Sequence, residues 1–228
     1  MASLTNPLKD AGVPQHILSL LDRLHAASIE QESRLDITAF APDQVHDAAR
    51  EAFIALDQDK CHFVYQLARA INAKNIVEAG TSFGVSTIYL GLAVSANVQA
   101  SGGTGTVIGT EHEPSKAEQA RKYWDEAGDL VLKHIDLRVG DLRQTLKDNI
   151  PTIDMLLLDI WAPMTLPALK LIQPHLRHGA VLIIDNTISS AGRYKDLLEY
   201  LRRADSGFLN LTMPYSKGLE LCVYTPQP

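Results

Sequence analysis

Asn75-Ile-Val-Glu-Ala-Gly80-Thr-Ser-Phe-Gly84-Val-Ser86 decides the fold, because a short apolar run passes through two glycines directly into a helix-like segment. Glycine lets the chain turn sharply and lets a ligand approach the backbone, while a helix start leaves its first N–H groups free. Glu78 places a carboxylate two residues before Gly80, where it favours a cationic partner. The spacing reads E-x-G-x-x-x-G and lacks the third glycine of the G-x-G-x-x-G turn that seats a dinucleotide pyrophosphate. Taken alone, so short a pattern also suits an ordinary strand-to-helix turn.

Outward from this turn, short apolar runs alternate with amphipathic ones. Strands are expected at 75–79, 106–111, 135–139, 153–159 and 179–185, with helices at 84–94, 114–127, 141–148 and 163–173 between them. Such alternation predicts a parallel, doubly wound α/β sheet. After a helix near Arg193 to Ala204, the segments Gly207 to Met213 and Leu219 to Tyr224 are joined by Pro214-Tyr-Ser-Lys-Gly218, so the C-terminal strand should run antiparallel. Upstream, Pro14 to Ala27, Asp43 to Leu56 and Asp59 to Ala73 read as helices. The expectation is one domain over 1–228: an N-terminal helical extension over 1–74 and a mostly parallel, seven-stranded core over 75–228. Ser101-Gly-Gly-Thr-Gly-Thr106 precedes a strand instead of opening a helix, and reads as a connection and not a phosphate cradle.

With 228 residues and 46% hydrophobic content, the chain can bury one substantial core. A net charge of -6, with scattered basic residues, leaves no electrostatic footprint for nucleic acid. Met1 to Asp10 has no signal-peptide pattern, and no apolar run approaches the ~20 residues that span a bilayer, so a soluble cytoplasmic protein without a membrane partner is expected. Cys61 and Cys222 form no metal-ligand spacing and read as buried thiols.

In an open α/β sheet, ligands sit beyond the carboxyl ends of the strands. Glu111 closes the second expected strand, where a carboxylate can accept both hydroxyls of a ribose, and His112 beside it reads as packing on that side. Asp141 follows the third strand and can meet an adenine edge or cap the next helix. Asp159 and the Asp185-Asn186 pair end the fourth and fifth. Two carboxylates and an amide oxygen form a hard donor set suited to Mg²⁺, with room left for water and both oxygens of a vicinal diol. A metal-assisted transferase is the expectation.

From about Asp59 to Tyr224 the chain resembles the class I S-adenosylmethionine-dependent O-methyltransferases of the cation-dependent catechol and caffeoyl-coenzyme A type. Ile71-Asn-Ala-Lys-Asn75 leading into Glu78-Ala-Gly80 is similar to the caffeoyl-coenzyme A branch; Asp159-Ile-Trp161, Asp185-Asn186 and Gly218-Leu-Glu220 are similar to the catechol branch. The resemblance implies S-adenosylmethionine as cofactor. Gly80 and Ser86 would hold its methionine part within a turn that also includes Glu78, Ser82 and Gly84; Glu111, with His112 beside it, would take the ribose, and Asp141 and Leu142 the adenine. It further implies a divalent cation (Mg²⁺ first, Mn²⁺ or Ca²⁺ as alternatives) on Asp159, Asp185 and Asn186, with Glu220 holding the acceptor's second hydroxyl and Trp161 near the cofactor. The implied reaction is methyl transfer to a hydroxyl of a vicinal-dihydroxy aromatic molecule, catechol-like, phenylpropanoid or flavonoid, by a homodimer.

One position departs from the pattern. The lysine that serves as base three residues after the first aspartate is replaced by Ala162, followed by Pro163. Either the cation alone deprotonates the acceptor, which is the favoured route, or Lys217 in the hairpin turn reaches in; as a plain turn residue Lys217 has a simpler reading. The alternatives are a metal-independent class I methyltransferase with another small acceptor, a nicotinamide oxidoreductase, which the missing third glycine and the Asp185-Asn186 pair argue against, and an inactive fold-mate serving as an interaction module.

Overall fold

The computed structural model describes residues 5–34 and 52–226. A short helix, α1 (Pro7–Asp10), is capped by the Asn6 side chain, which accepts from the Leu8 and Lys9 N–H groups. Helices α2 (Gln15–Arg34) and α3 (Gln58–Ala70) follow among the described N-terminal residues. The alternation then begins with β1 (Asn75–Ala79), α4 (Val85–Ser101), β2 (Thr106–Glu111), α5 (Pro114–Ala127), α6 (Asp129–Leu132), β3 (Ile135–Val139) and α7 (Leu142–Thr145). It continues with β4 (Ile153–Leu158), α8 (Ala162–Ile172), a 3₁₀ turn at Gln173–His175, β5 (Leu176–Asp185), α9 (Lys195–Leu201), β6 (Phe208–Met213) and β7 (Leu219–Tyr224).

The seven strands form one sheet in the order β3-β2-β1-β4-β5-β7-β6. β1 to β5 run parallel, and β7 is antiparallel to both β5 and β6. Successive strands are added on one side of β1 as far as β3 and on its other side from β4 onward, which makes the β1/β4 boundary the switch point where a crevice opens.

Pleat alternation sorts the core into two layers. On one face Ile76, Val107, Met155, Leu157, Val181 and Ile183 pack with α2, α3 and α4. On the other, Val77, Ile108, Leu156, Leu158, Leu182 and Ile184 pack with α8 and α9. Helix α4 is buried almost all round from Val85 to Val94, as an apolar helix between the sheet and further helices must be.

Four elements differ most from expectation, beyond shifts of up to three residues at the ends of others such as β5 and α3. Helix α2 runs on to Arg34 because nothing in Ala27–Arg34 breaks it and Ser28–Glu32 and Glu30–Arg34 pairs support the extra turns. Of the helix expected at 43–56, residues 43–51 lie outside the described residues, and 52–56 are not helical. There the Phe53 and Ala55 N–H groups donate to Gln31 Oε1 (3.0 Å) and Ser28 Oγ (2.9 Å) of α2, which replaces intrahelical bonding. Helix α4 continues to Ser101 and stops at Gly102 (φ 73°). Helix α7 is only a turn, since the carbonyls of Thr145, Asp148 and Asn149 are taken by the Arg138 guanidinium. No helix among the described residues is long and apolar enough to cross a membrane.

Candidate functional site

β1 delivers Glu78 and then Gly80, whose φ of 96° belongs to glycine. A Cβ at Gly80 would lie 2.1 Å from the Asp159 carbonyl oxygen and 2.3 Å from Ile160 Cγ2, so the β1 turn passes directly against the end of β4. Gly84 (φ 76°) similarly leaves room for the Trp124 indole, whose Nε1–H donates to the Gly84 carbonyl at 3.0 Å. Between them Ser82 takes φ 49° and donates its N–H to Glu111 Oε2 at 2.7 Å, tying the β1 turn to the end of β2.

Glu78 is fully buried and serves the turn from behind. Its carboxylate accepts from Ser86 Oγ (2.6 Å), Thr87 Oγ1 (2.5 Å) and Thr81 Oγ1 (3.1 Å). Burial, opposed by these three hydroxyls, raises its pKa from the ordinary 4.5 to about 7. Below pH 4.5 the carboxyl is protonated in both folded and unfolded chains and contributes nothing to the pH dependence. As pH rises to about 7 the unfolded chain loses its proton first, so stability falls towards a constant penalty of about 3 kcal/mol. In Glu78→Gln the amide oxygen can keep Thr81 and Thr87, and the amide N–H can donate to Ser86. The fall in unfolding free energy between pH 5 and pH 8 should therefore shrink by about 2.5 kcal/mol in denaturant titrations of this variant. An unchanged pH slope would remove Glu78 as its source.

A cavity of about 480 Å³ opens over the carboxyl ends of β1 to β4. Of the residues expected to bind a cofactor, Gly80, Ser82, Glu111, His112, Asp141, Leu142, Asp159 and Trp161 line it. Ser86 borders a smaller space behind the turn with Gly80, Ser82 and Asp159, while Glu78 and Gly84 line neither. Glu111 is buried, its two oxygens held by the Ser82 and Glu113 N–H groups, the latter at 2.8 Å. Asp141 caps α7 through the Arg143 N–H (2.9 Å) and also lines the cavity. The Arg143 guanidinium, its strongest partner, holds its carboxyl down at about 2. Trp161, in the cavity wall, has the Arg193 guanidinium 5.7 Å from its ring centre.

Lys116 of α5 also lines the cavity, its Nζ 5.4 Å from the Phe83 ring centre. Nothing in the spacing of α5 marks Lys116, because its selection depends on how α5 lies over β2.

The acidic ends of β4 and β5 converge, and a fully buried lysine joins them. Lys60, the third residue of α3, places Nζ 2.6 Å from Asp185 Oδ1 and 3.0 Å from Asp57 Oδ2. The Lys60 side chain is 0% exposed. Burial alone pulls its ammonium down, but the two carboxylates outweigh it and the pKa rises. Burial, followed by the nearby Asp185 and Glu78, pushes Asp159 up to about 8. Asn186 follows Asp185 in the left-handed region (φ 62°), which asparagine tolerates, and its N–H donates to the Gly218 carbonyl at 3.0 Å.

The donor chemistry of Asp159, Asp185 and Asn186 suits a hard divalent ion, yet the place on Asp185 is held by Lys60. A +2 ion about 4 Å from an ammonium is repelled by roughly 8 kcal/mol at an effective dielectric of about 20. With Lys60 where it stands, the ion does not fit. Among the described residues no three of His, Cys, Asp and Glu gather as a metal cage.

Two expected catalytic residues are not brought to this place. Glu220 pairs across the sheet with Ile184, one residue out of step with Asp185, so the pleat sends it to the opposite face. There it is buried and accepts from Thr212 Oγ1 (2.5 Å) and Arg202 Nη2 (3.4 Å). Lys217 (φ 62°) lies at the hairpin turn, half exposed, with Nζ 3.3 Å from Glu32 Oε2 of α2. Ala162, where the expected lysine is missing, is buried at the start of α8.

A doubly wound sheet with its cavity at the β1/β4 switch point and an acid at the end of β2 has the architecture of the Rossmann-like methyltransferase fold. Residues 77–187 match the family model described as a methyltransferase domain. The chain is similar to the catechol O-methyltransferase of Mycobacterium tuberculosis, 31% identical over 151 residues that cover 64% of this chain and 63% of that one. It is also similar to probable caffeoyl-CoA O-methyltransferase 1 of Dictyostelium discoideum, 27% identical over 152 residues, 64% of this chain and 62% of the relative. The matches thus span somewhat under two thirds of these relatives' length. Among solved structures, cofactor-bound Rv0187 from MTB superposes with a TM-score of 0.71 at 23% identity, covering 99% of this chain and 100% of that one, which shows the shared fold.

Proposed function

We propose that the chain transfers the methyl group of S-adenosylmethionine to a hydroxyl of a small aromatic acceptor. The observation that carries this is the cavity at the switch point, with the buried Glu111 carboxylate held at the end of β2 beside the Gly80 turn. Similarity to proteins named catechol and caffeoyl-CoA O-methyltransferases supports the reaction class. Bound S-adenosylmethionine supplies an electrophilic methyl on a sulfonium; as the acceptor's O–C bond forms, the S–C bond breaks, sulfur leaves as a neutral thioether and the hydroxyl proton passes to water.

The chain's own residues do the rest by holding and excluding. The Gly80 turn admits the donor close to the backbone, and Glu111 offers its carboxylate to the ribose hydroxyls. On this reading Asp141 and Leu142, which line the cavity, take the adenine, and Trp161, which also lines it, lies near the donor. Alignment of the acceptor oxygen with the methyl is the main catalytic contribution of such a site. No part of this reading passes through a divalent ion, and a vicinal diol is one acceptor class among aromatic hydroxyls.

Glu111→Ala should weaken S-adenosylmethionine binding by about 1.5–3 kcal/mol, roughly 10- to 150-fold, the range for hydrogen bonds to a charged group. Calorimetry on the variant, checked for folding by circular dichroism, reads this directly. Unchanged affinity in a folded variant would take Glu111, and with it the reading of the cavity, out of consideration.

A further inference from the structure

The place of Lys60 is not one that helix formation selects. It is the third residue of α3, where free N–H groups and the helix dipole disfavour a cation. Its neighbours Cys61, Val64 and Tyr65 are buried in the apolar layer between α3 and the sheet, and a lysine at full burial is rare unless paired. Here it is paired twice, with Asp57 of its own helix start and with Asp185, 125 residues away at the end of β5.

We infer that the Lys60 ammonium is the resident cation of this site, occupying on Asp185 the place that the oxygen donors would otherwise give a divalent ion, so that methyl transfer runs without metal. The inference rests on the methyltransferase reading for what the site does, and on the Lys60–Asp185 contact for how its charge is balanced. A buried Asp185 carboxylate beside a second acidic strand end calls for positive charge close by. A lysine supplied by the chain provides it permanently, whereas an ion would have to displace it. Without an ion, chelation of two neighbouring oxygens no longer selects the acceptor, and aromatic molecules with a single hydroxyl fall within the substrate class.

The test is a Mn²⁺ titration of chelator-stripped protein, followed by the electron paramagnetic resonance signal of free Mn²⁺. Wild-type protein should take up no stoichiometric Mn²⁺ at millimolar concentration. Lys60→Ala, which empties the position, should take up one Mn²⁺ per chain and recover thermal stability on its addition, and Asp185→Asn in that background should abolish uptake. One Mn²⁺ per wild-type chain, lost in Asp185→Asn, would overturn the inference. A folded Lys60→Ala chain that still ignores Mn²⁺ would overturn it as well, because the ammonium would then not be standing in for an ion. Where Lys60→Ala does not fold, the wild-type titration decides. S-adenosylhomocysteine binding by the same wild-type sample, measured by calorimetry, separates failure of this inference from failure of the methyltransferase reading.

Discussion

Gly80→Ala is expected to destabilise the protein by about 2–6 kcal/mol and to abolish S-adenosylmethionine binding. Two costs combine. An L-residue forced to φ 96° stores about 1–3 kcal/mol of backbone strain, and overpacking a filled site adds about 1–3 kcal/mol. The crowding cannot be relieved by a rotamer change, because the nearest atom, 2.1 Å from the new Cβ, is the Asp159 backbone carbonyl oxygen. Either β1 or the end of β4 must move, and both line the cavity. Gly12→Ala is the control: Gly12 also has positive φ (74°) but no atom within 4 Å of an added Cβ, so it carries strain without crowding. Denaturant titrations of the pair isolate the crowding; equal losses in the two variants would show that the β1 and β4 turns do not press on one another.

Lys60→Met is expected to cost about 3–5 kcal/mol, the usual loss when one partner of a buried ion pair is removed. Methionine keeps most of the aliphatic volume, so the loss reports the charge left on Asp185 and not a cavity. Against a total stability of about 5–15 kcal/mol for a typical domain, this is a large share. The pH dependence has a defined sign. Lys60 has a raised folded pKa, so its contribution is fully present below the ordinary 10.5 and is lost only as pH rises through the higher folded value. The gap between wild type and Lys60→Met should therefore be full at neutral pH and close in strong alkali. Adding Asp185→Asn to Lys60→Met should recover most of the loss, since the carboxylate is then no longer buried unpaired. A Lys60→Met protein with the wild-type denaturation midpoint would mean that the contact carries no net stability.

The elements that were legible along the chain are those whose signal is local. β1, β2, β3, α5 and β7 occupy the expected residues, because apolar runs bounded by glycine, proline and charged positions report their own conformation. The segment at 52–56 was not legible, since its N–H groups are satisfied by side chains of α2, which no periodicity within the segment can indicate. The same contrast divides the site. Glycines at a strand-to-helix turn and acids at strand ends can be recognised in order, and Gly80, Glu111, Asp141 and Asp159 line one cavity. Glu78 also sits at a strand end, but its burial beneath three hydroxyls turns it into a support for the turn.

By itself, the sequence determined the alternating α/β order, the antiparallel last strand, the position of the turn and the supply of acids at the strand ends. These follow from side-chain period and backbone preference over a few residues. Only the tertiary structure decided which of those acids meet. The pleat of β7 against β5 carries Glu220 to the far face, and the rotation of α3 on the sheet brings Lys60 to Asp185, 125 residues away. Both outcomes are set by register and helix packing between distant segments, and a one-residue difference in either would reverse them.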